Sequence, residues 1–125
     1  MSLATEIAEE PRLDHAVIDQ IRELEAVRPG LFQHLAASFD AKTTGLLAET
    51  EARLAARDLE YLRIAFHSLK GTAGSLGLRR LSVIAGMIEN AIMGNTKAGS
   101  PAEILDHLHV EFAESRLELR QLAVG

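Results

Sequence analysis

Apolar residues recur every three or four positions over most of the chain, the spacing of one buried face along an α-helix. The clearest such stripe consists of Leu59, Leu62, Phe66, Leu69, Ala73 and Leu76. A second stripe of the same spacing consists of Leu78, Leu81, Ala85, Ile88 and Ile92. Because Gly77 separates the two stripes, the pattern predicts two helices that meet in a tight turn there.

Further helices are predicted on either side of this pair. A short helix begins at its N-cap, Asp14, uses Val17, Ile21 and Leu24 as its apolar positions, and ends before Pro29 and Gly30. A long helix follows over about residues 30–56, and a last helix begins at Ser100-Pro101-Ala102-Glu103, a capping sequence with proline in the first turn. The predicted fold is all-α, an antiparallel up-and-down four-helix bundle with a short additional N-terminal helix.

The domain organisation is simple, because 125 residues suffice for one hydrophobic core. Residues 1–12 carry no apolar stripe, so we expect them to be a flexible lead or linker outside the fold. Residues 13–125 are predicted to form the single helical-bundle domain.

Composition narrows the classes of function. Thirteen Lys and Arg against 18 Asp and Glu give a net charge of −5, which argues against binding to duplex nucleic acid. The chain has no cysteine, which excludes disulfides and thiolate metal sites and is typical of a cytoplasmic protein. Its apolar runs are too short to cross a bilayer. We therefore expect a cytoplasmic protein that neither binds nucleic acid nor inserts into a membrane.

The helix that contains Phe66 has a second, polar face. At about 100° per residue, the apolar positions spread over roughly −80° to +20° around Phe66. On the same wheel Lys70 lies near about 40°, His67 near about 100° and Gly71 near about 140°. A histidine therefore projects outside the core stripe, with a cation and a glycine as its neighbours on the helix surface.

Gly71 and Gly74 need an explanation, because each costs about 0.8–1 kcal/mol in a helix interior relative to alanine. Neither lies on the apolar stripe, so core packing does not require them. A glycine one turn from His67 would leave the imidazole open to a partner, and Lys70 would stabilise an anion on the ring. This combination makes His67 a candidate phosphoryl acceptor, although a lone exposed histidine on a helix more often has no function.

The sequence from His67 to Gly77, HSLKGTAGSLG, resembles the motif of the histidine phosphotransfer (HPt) family, which is H-x-L-K-G followed by small residues and a glycine. It is also similar to the phosphotransfer domain of chemotaxis histidine kinases. The resemblance extends over about residues 13–122 and implies that His67 is the phosphorylated residue, that Lys70 stabilises the phosphate and that Gly71 gives steric access. It further implies that the partners are response-regulator receiver domains, that Mg²⁺ belongs to the receiver and that this chain binds no cofactor.

Glu89 is a further candidate site residue. If the helices on either side of residue 78 form an antiparallel hairpin, a residue eleven positions before the turn lies level with one eleven positions after it. This pairs His67 with Glu89, which could hold the ring nitrogen that is not used for transfer. An ordinary surface glutamate is an equally good interpretation.

The leading hypothesis is a phosphorelay carrier that takes a phosphoryl group from one receiver aspartate and passes it to another. The chain has no room for an ATP-binding domain, so we expect no autokinase activity. It could be either a free protein or part of a hybrid sensor kinase. Two alternatives are the substrate domain of a chemotaxis-type histidine kinase and a structural helical interaction module. No nucleotide-binding loop, metal pair or hydrolase arrangement is predicted; the two nearest histidines, His107 and His109, point in different directions on one helix.

Overall fold

The computed structural model describes residues 2–124, which form six α-helices and no β-strand. The helices are α1 (Leu3–Glu9), α2 (His15–Glu25), α3 (Leu31–Ala55), α4 (Leu59–Ser75), α5 (Arg79–Ile92) and α6 (Pro101–Val124). Helices α3 to α6 pack as a closed ring in chain order, with α6 returning to contact α3. Helix α2 packs against α3 and α1 against α5. The prediction of an all-α helical bundle is confirmed.

The starts of α2 and α6 follow the capping chemistry read from the sequence. The Asp14 carboxylate accepts hydrogen bonds from the backbone N–H groups of Ala16 and Val17, and Ser100 accepts one from the N–H of Glu103. Asp58 directly precedes α4 but makes no capping hydrogen bond. Its carboxylate instead accepts a hydrogen bond from Arg53, which ties the end of α3 to the start of α4.

The core lies between the four long helices and contains most of the predicted apolar stripes. Phe66 of α4 and Phe32 of α3 are fully buried. The apolar positions of α5 are equally well covered, with Leu81, Ile84 and Ala85 inaccessible to solvent. One predicted core position was wrong: Leu24 is exposed, because the buried residues of α2 are Ile18 and Ile21 and its last turn, which contains Leu24, has none.

The N-terminal segment departs from the prediction. Residues 3–9 form α1, and the Ile7 side chain is buried in the core cluster. Excluding residues 3–12 from the fold was therefore wrong. A helix of two turns with one buried side chain gives no periodic apolar pattern, so the sequence carries no signal for it. Met1 lies outside the described residues.

Arginine side chains hold this segment against the bundle. Arg80 donates hydrogen bonds from its guanidinium to the backbone oxygens of Glu10, at 2.8 Å, and of Ala8, at 3.2 Å. Arg12 donates from Nε to the buried carboxylate of Glu111 on α6, at 2.8 Å. The segment before α2 is thus fixed to both α5 and α6.

The turn between α4 and α5 determines which residues face each other across the hairpin. Gly77 has a φ of +79°, in the left-handed region that favours glycine. A Cβ there would lie 2.8 Å from Ile18 Cγ1 and 3.0 Å from the backbone oxygen of Asp14. Glycine is therefore required both by the backbone conformation and by the close approach of α2.

Candidate functional site

His67 lies on the solvent side of α4, in the middle of the helix. Its neighbour Phe66 and the following Leu69 are buried, so the core fixes the orientation of α4. The His67 side chain itself is 63% exposed. The structure therefore places an accessible imidazole on a helix whose opposite face is buried, where the sequence pattern predicted it.

Glu89 of α5 lies directly opposite His67. Its Oε2 is 2.8 Å from His67 Nδ1, which is hydrogen-bonding distance. Unlike the imidazole, the Glu89 side chain is only 10% exposed. The hairpin geometry thus predicted the position of Glu89 correctly, since the turn at Gly77 sets the pairing of α4 with α5.

Lys70 completes this cluster from the next turn of α4. Its Nζ lies 3.2 Å from Oε1 of Glu89, so the two carboxylate oxygens bind two different partners. The lysine side chain is 43% exposed. Glu89 therefore binds both the imidazole of His67 and the ammonium group of Lys70 and holds these two partly exposed groups side by side at the surface.

The ionisation of Glu89 determines which ring nitrogen of neutral His67 carries the proton. Burial raises the pKa of the Glu89 carboxyl, but the hydrogen bonds from Lys70 and His67 and the charges of these two groups together outweigh burial and leave the pKa below its ordinary value. Glu89 is therefore a carboxylate at neutral pH and can only accept hydrogen bonds. Nδ1 of neutral His67 must then carry the proton, which leaves the lone pair on Nε2, the nitrogen that faces away from Glu89.

The two glycines on this face of α4 have different surroundings. Apart from its two chain neighbours and the backbone of its own helix, no atom lies within 4 Å of the position that a Cβ on Gly71 would occupy. A Cβ on Gly74 would make an ordinary contact, 3.5 Å from Ser82 Oγ on α5. Packing thus gives no reason for glycine at position 71, and the surface beside His67 is open there.

A groove between α3 and α4 adjoins the histidine on the side away from Glu89. It consists of two connected depressions of about 470 Å³ and 360 Å³, which share Lys42, Thr43, Ser68 and Thr72. Ser68 directly follows His67, and Gly71 lines the smaller depression. The apolar lining comes from Leu35, Phe39, Leu46, Leu69 and Leu76.

The sequence model of the Hpt domain matches residues 31–123, about three quarters of the chain, including α4 and α5. The chain belongs to the Hpt domain family. It is thus a histidine phosphotransfer protein of a two-component phosphorelay.

The fold of this Hpt domain is similar to that of a solved structure. The crystal structure of histidine-containing phosphotransfer protein B (HptB) from Pseudomonas aeruginosa PAO1 matches with a TM-score of 0.76 at 24% sequence identity. The match covers 90% of this chain and 95% of that chain, so nearly the whole bundle is shared. A search of the curated proteins found no match.

Three arginines of α4 and α5 bind residues outside the cluster of His67, Lys70 and Glu89. Arg63, one turn before His67, donates two hydrogen bonds to Glu60. Arg79 and Arg80 bind the segment before α2, through Glu10. Among the lysines and arginines of residues 2–124, Lys70 is the one that approaches the Glu89 carboxylate within 4 Å.

Sequence reasoning missed two residues near the site of the Hpt domain. Ile64, one turn before His67, is 55% exposed, an apolar side chain on the same surface. Gly86 of α5 lies under the Lys70 side chain, where a Cβ would be 3.1 Å from Lys70 Cδ. The sequence did carry one signal for this residue: Gly86 is a glycine inside a predicted helix, three positions before Glu89.

None of the helices within residues 2–124 is long and apolar enough to span a membrane.

Proposed function

We propose that His67 is the phosphoacceptor of this Hpt domain and that it exchanges phosphate with aspartates of receiver domains. The observation that carries the proposal is the hydrogen bond of 2.8 Å between His67 Nδ1 and buried Glu89. It fixes the ring by one nitrogen and leaves the other nitrogen free on an exposed surface. That arrangement suits a nucleophile that must be met by another protein.

In the proposed step, the Nε2 lone pair of His67 attacks the phosphorus of a receiver aspartyl phosphate. A P–N bond forms while the P–O bond to the aspartate breaks, and the aspartate leaves as a carboxylate with the bonding electron pair. The ring takes up positive charge because Nδ1 keeps its proton. Glu89 offsets that charge, since its carboxylate stays ionised at Nδ1. The reverse step delivers the phosphoryl group to the aspartate of a second receiver.

Lys70 and Gly71 have complementary roles in this proposal. Lys70 Nζ stabilises the negative oxygens of the phosphoryl group as they approach Nε2. The ammonium group is held beside the ring by Glu89 at 3.2 Å, so it needs little rearrangement. Gly71 keeps the neighbouring surface low, because no side chain stands between the receiver and the imidazole.

The receiver would dock over the open face of α4 and the groove between α3 and α4. Exposed Ile64 and the apolar lining of the groove supply the desolvated contact that such an interface needs. The start of α3 contributes to this surface through Leu35 and Phe39, whereas no residue of α2 lines the groove. We assign Mg²⁺ to the receiver and propose a cytoplasmic location for the complex, where a chain without cysteine is common.

Phosphate exchange with receivers tests this proposal directly. A receiver carrying labelled aspartyl phosphate is mixed with the parent protein and with His67→Gln, and an unlabelled second receiver is then added. The parent should take up acid-labile label and pass it on, whereas His67→Gln should fold normally and stay unlabelled, because the ring lies off the core. Labelling of His67→Gln would overturn the assignment. Label that reaches the parent only from ATP, through a separate kinase domain, would favour the chemotaxis-type alternative.

A further inference from the structure

Gly86 has a surrounding that differs from those of the other helix glycines. It lies in the middle of α5, where glycine is less favourable than alanine. A Cβ at this position would lie 3.1 Å from Lys70 Cδ and 3.9 Å from Lys70 Cγ. Lys70 is the only side chain of the described residues that it would approach within 4 Å. The aliphatic part of Lys70 therefore lies directly on the backbone of α5 at Gly86.

Gly86 belongs to a row of three α5 residues that face α4. Ser82 donates a hydrogen bond of 2.8 Å from its hydroxyl to the backbone oxygen of Lys70. Glu89 accepts a hydrogen bond from the other end of Lys70, its Nζ, at 3.2 Å. Gly86 lies between them, since positions 82, 86 and 89 share one helix face. Lys70 is thus held at its backbone and at its ammonium group, and its stem crosses the gap over Gly86.

We propose that Gly86 is a positioning residue for Lys70: the missing side chain lets the lysine stem lie flat on α5 and so brings the ammonium group to Glu89 beside His67. A side chain at position 86 would lift the stem and move Nζ away from the carboxylate. The effect on phosphate transfer rests on the proposed role of Lys70. The effect on the contact between Lys70 and Glu89 does not.

Two substitutions of different size test the proposal. Gly86→Ala adds only the Cβ, which the flexible lysine can avoid by a few tenths of an ångström, so its effect should be small. Gly86→Val adds two methyl groups branched at Cβ, which Lys70 cannot avoid without leaving Glu89. Alanine and valine both have a higher helix propensity than glycine, so neither change weakens α5 itself.

The first readout is the pKa of the Glu89 carboxyl, measured by a pH titration of the unphosphorylated protein that is monitored by carbon-detected NMR. Because the hydrogen bond from Lys70 helps to keep the pKa of Glu89 low, Gly86→Val should raise that pKa, as Lys70→Ala should. In the Lys70→Ala background, Gly86→Val should cause no further shift. An unchanged Glu89 titration in Gly86→Val would overturn the proposal.

The second readout is the rate of phosphate uptake from a phosphorylated receiver. Gly86→Val should slow uptake by about tenfold, the factor expected when a charged hydrogen bond is lost from the transition state. The double variant Gly86→Val/Lys70→Ala should be no slower than Lys70→Ala alone. Additive losses in the double variant would show that Gly86 acts on something other than Lys70 and would contradict the proposal. If Gly86→Val and Lys70→Ala both shift the Glu89 titration yet transfer at the parent rate, the positioning role stands and the role of Lys70 in transfer fails.

Discussion

Substitution of Gly71 is expected to change stability and phosphate transfer in opposite directions. The site is helical and open: beyond its chain neighbours and its own helix backbone, no atom lies within 4 Å of a Cβ, so a side chain can start there without a clash in the free protein. Gly71→Ala should then stabilise the bundle by up to about 1 kcal/mol and Gly71→Gln by about half as much. For a domain of this size, the larger value corresponds to a rise in melting temperature of about 3–5 °C.

The same side chains should hinder transfer, because position 71 lies one turn from His67 on the surface that the receiver must cover. A displacement of about 1 Å from the reacting geometry can cost about a hundredfold in rate. We therefore expect Gly71→Gln to slow phosphate uptake by at least about tenfold. Gly71→Ala, which adds a single carbon, should have a smaller effect.

Both quantities are measured on the same preparations, by thermal unfolding followed by circular dichroism and by rapid-quench transfer from a phosphorylated receiver. Gly45→Ala is a matched stability control, since Gly45 is a helix residue of α3 and its Cβ position is also open. A lower melting temperature for Gly71→Gln would show that Gly71 is packed. A parent-like transfer rate for Gly71→Gln would refute the access role.

Two further predictions concern the frame around the site. Glu89, which faces His67 and Lys70 and also lies near Arg63, has a pKa below its ordinary value. Its contribution to stability is therefore present above the ordinary pKa of a glutamate and is lost as the pH falls through the folded-state pKa. Glu89→Gln should therefore be less stable than the parent at pH 7 in urea unfolding, and the gap should shrink in acid; a gap that widens in acid would contradict this. Gly77→Ala should destabilise the bundle by at least about 1–2 kcal/mol, because it combines a left-handed φ with a Cβ 2.8 Å from Ile18 Cγ1. Gly94→Ala is its control, with positive φ but open space, and an equal loss in both variants would show that the contact with α2 contributes nothing.

The sequence predicted the bundle and the central pair of the site because both depend on regular spacing. The stripes of α4 and α5 share one period, and Gly77 marks the turn between them. Counting outward from that turn was enough to place Glu89 opposite His67, at the observed 2.8 Å. Helical periodicity and one well-defined turn thus carry long-range information in this chain.

Features that depend on single contacts could not be predicted in the same way. Helix α1 has one buried residue, Ile7, and is held by arginine hydrogen bonds to backbone oxygens that no sequence pattern encodes. The contact of Lys70 with Gly86 depends on the distance between α4 and α5 and on a lysine rotamer. The groove between α3 and α4 depends on how far these helices separate. Such features follow from tertiary packing, and the spacing of apolar residues along a helix carries no information about it.

The nitrogen that carries phosphate is the most direct test of the account. The protein, labelled with ¹⁵N in its five histidines, is phosphorylated by a receiver and examined by NMR for coupling between phosphorus and the ring nitrogens. Because Glu89 occupies Nδ1 of His67, phosphate should be found on Nε2 of His67 and on no other histidine. Phosphate on Nδ1 of His67, or on any of the other histidines, would contradict the account.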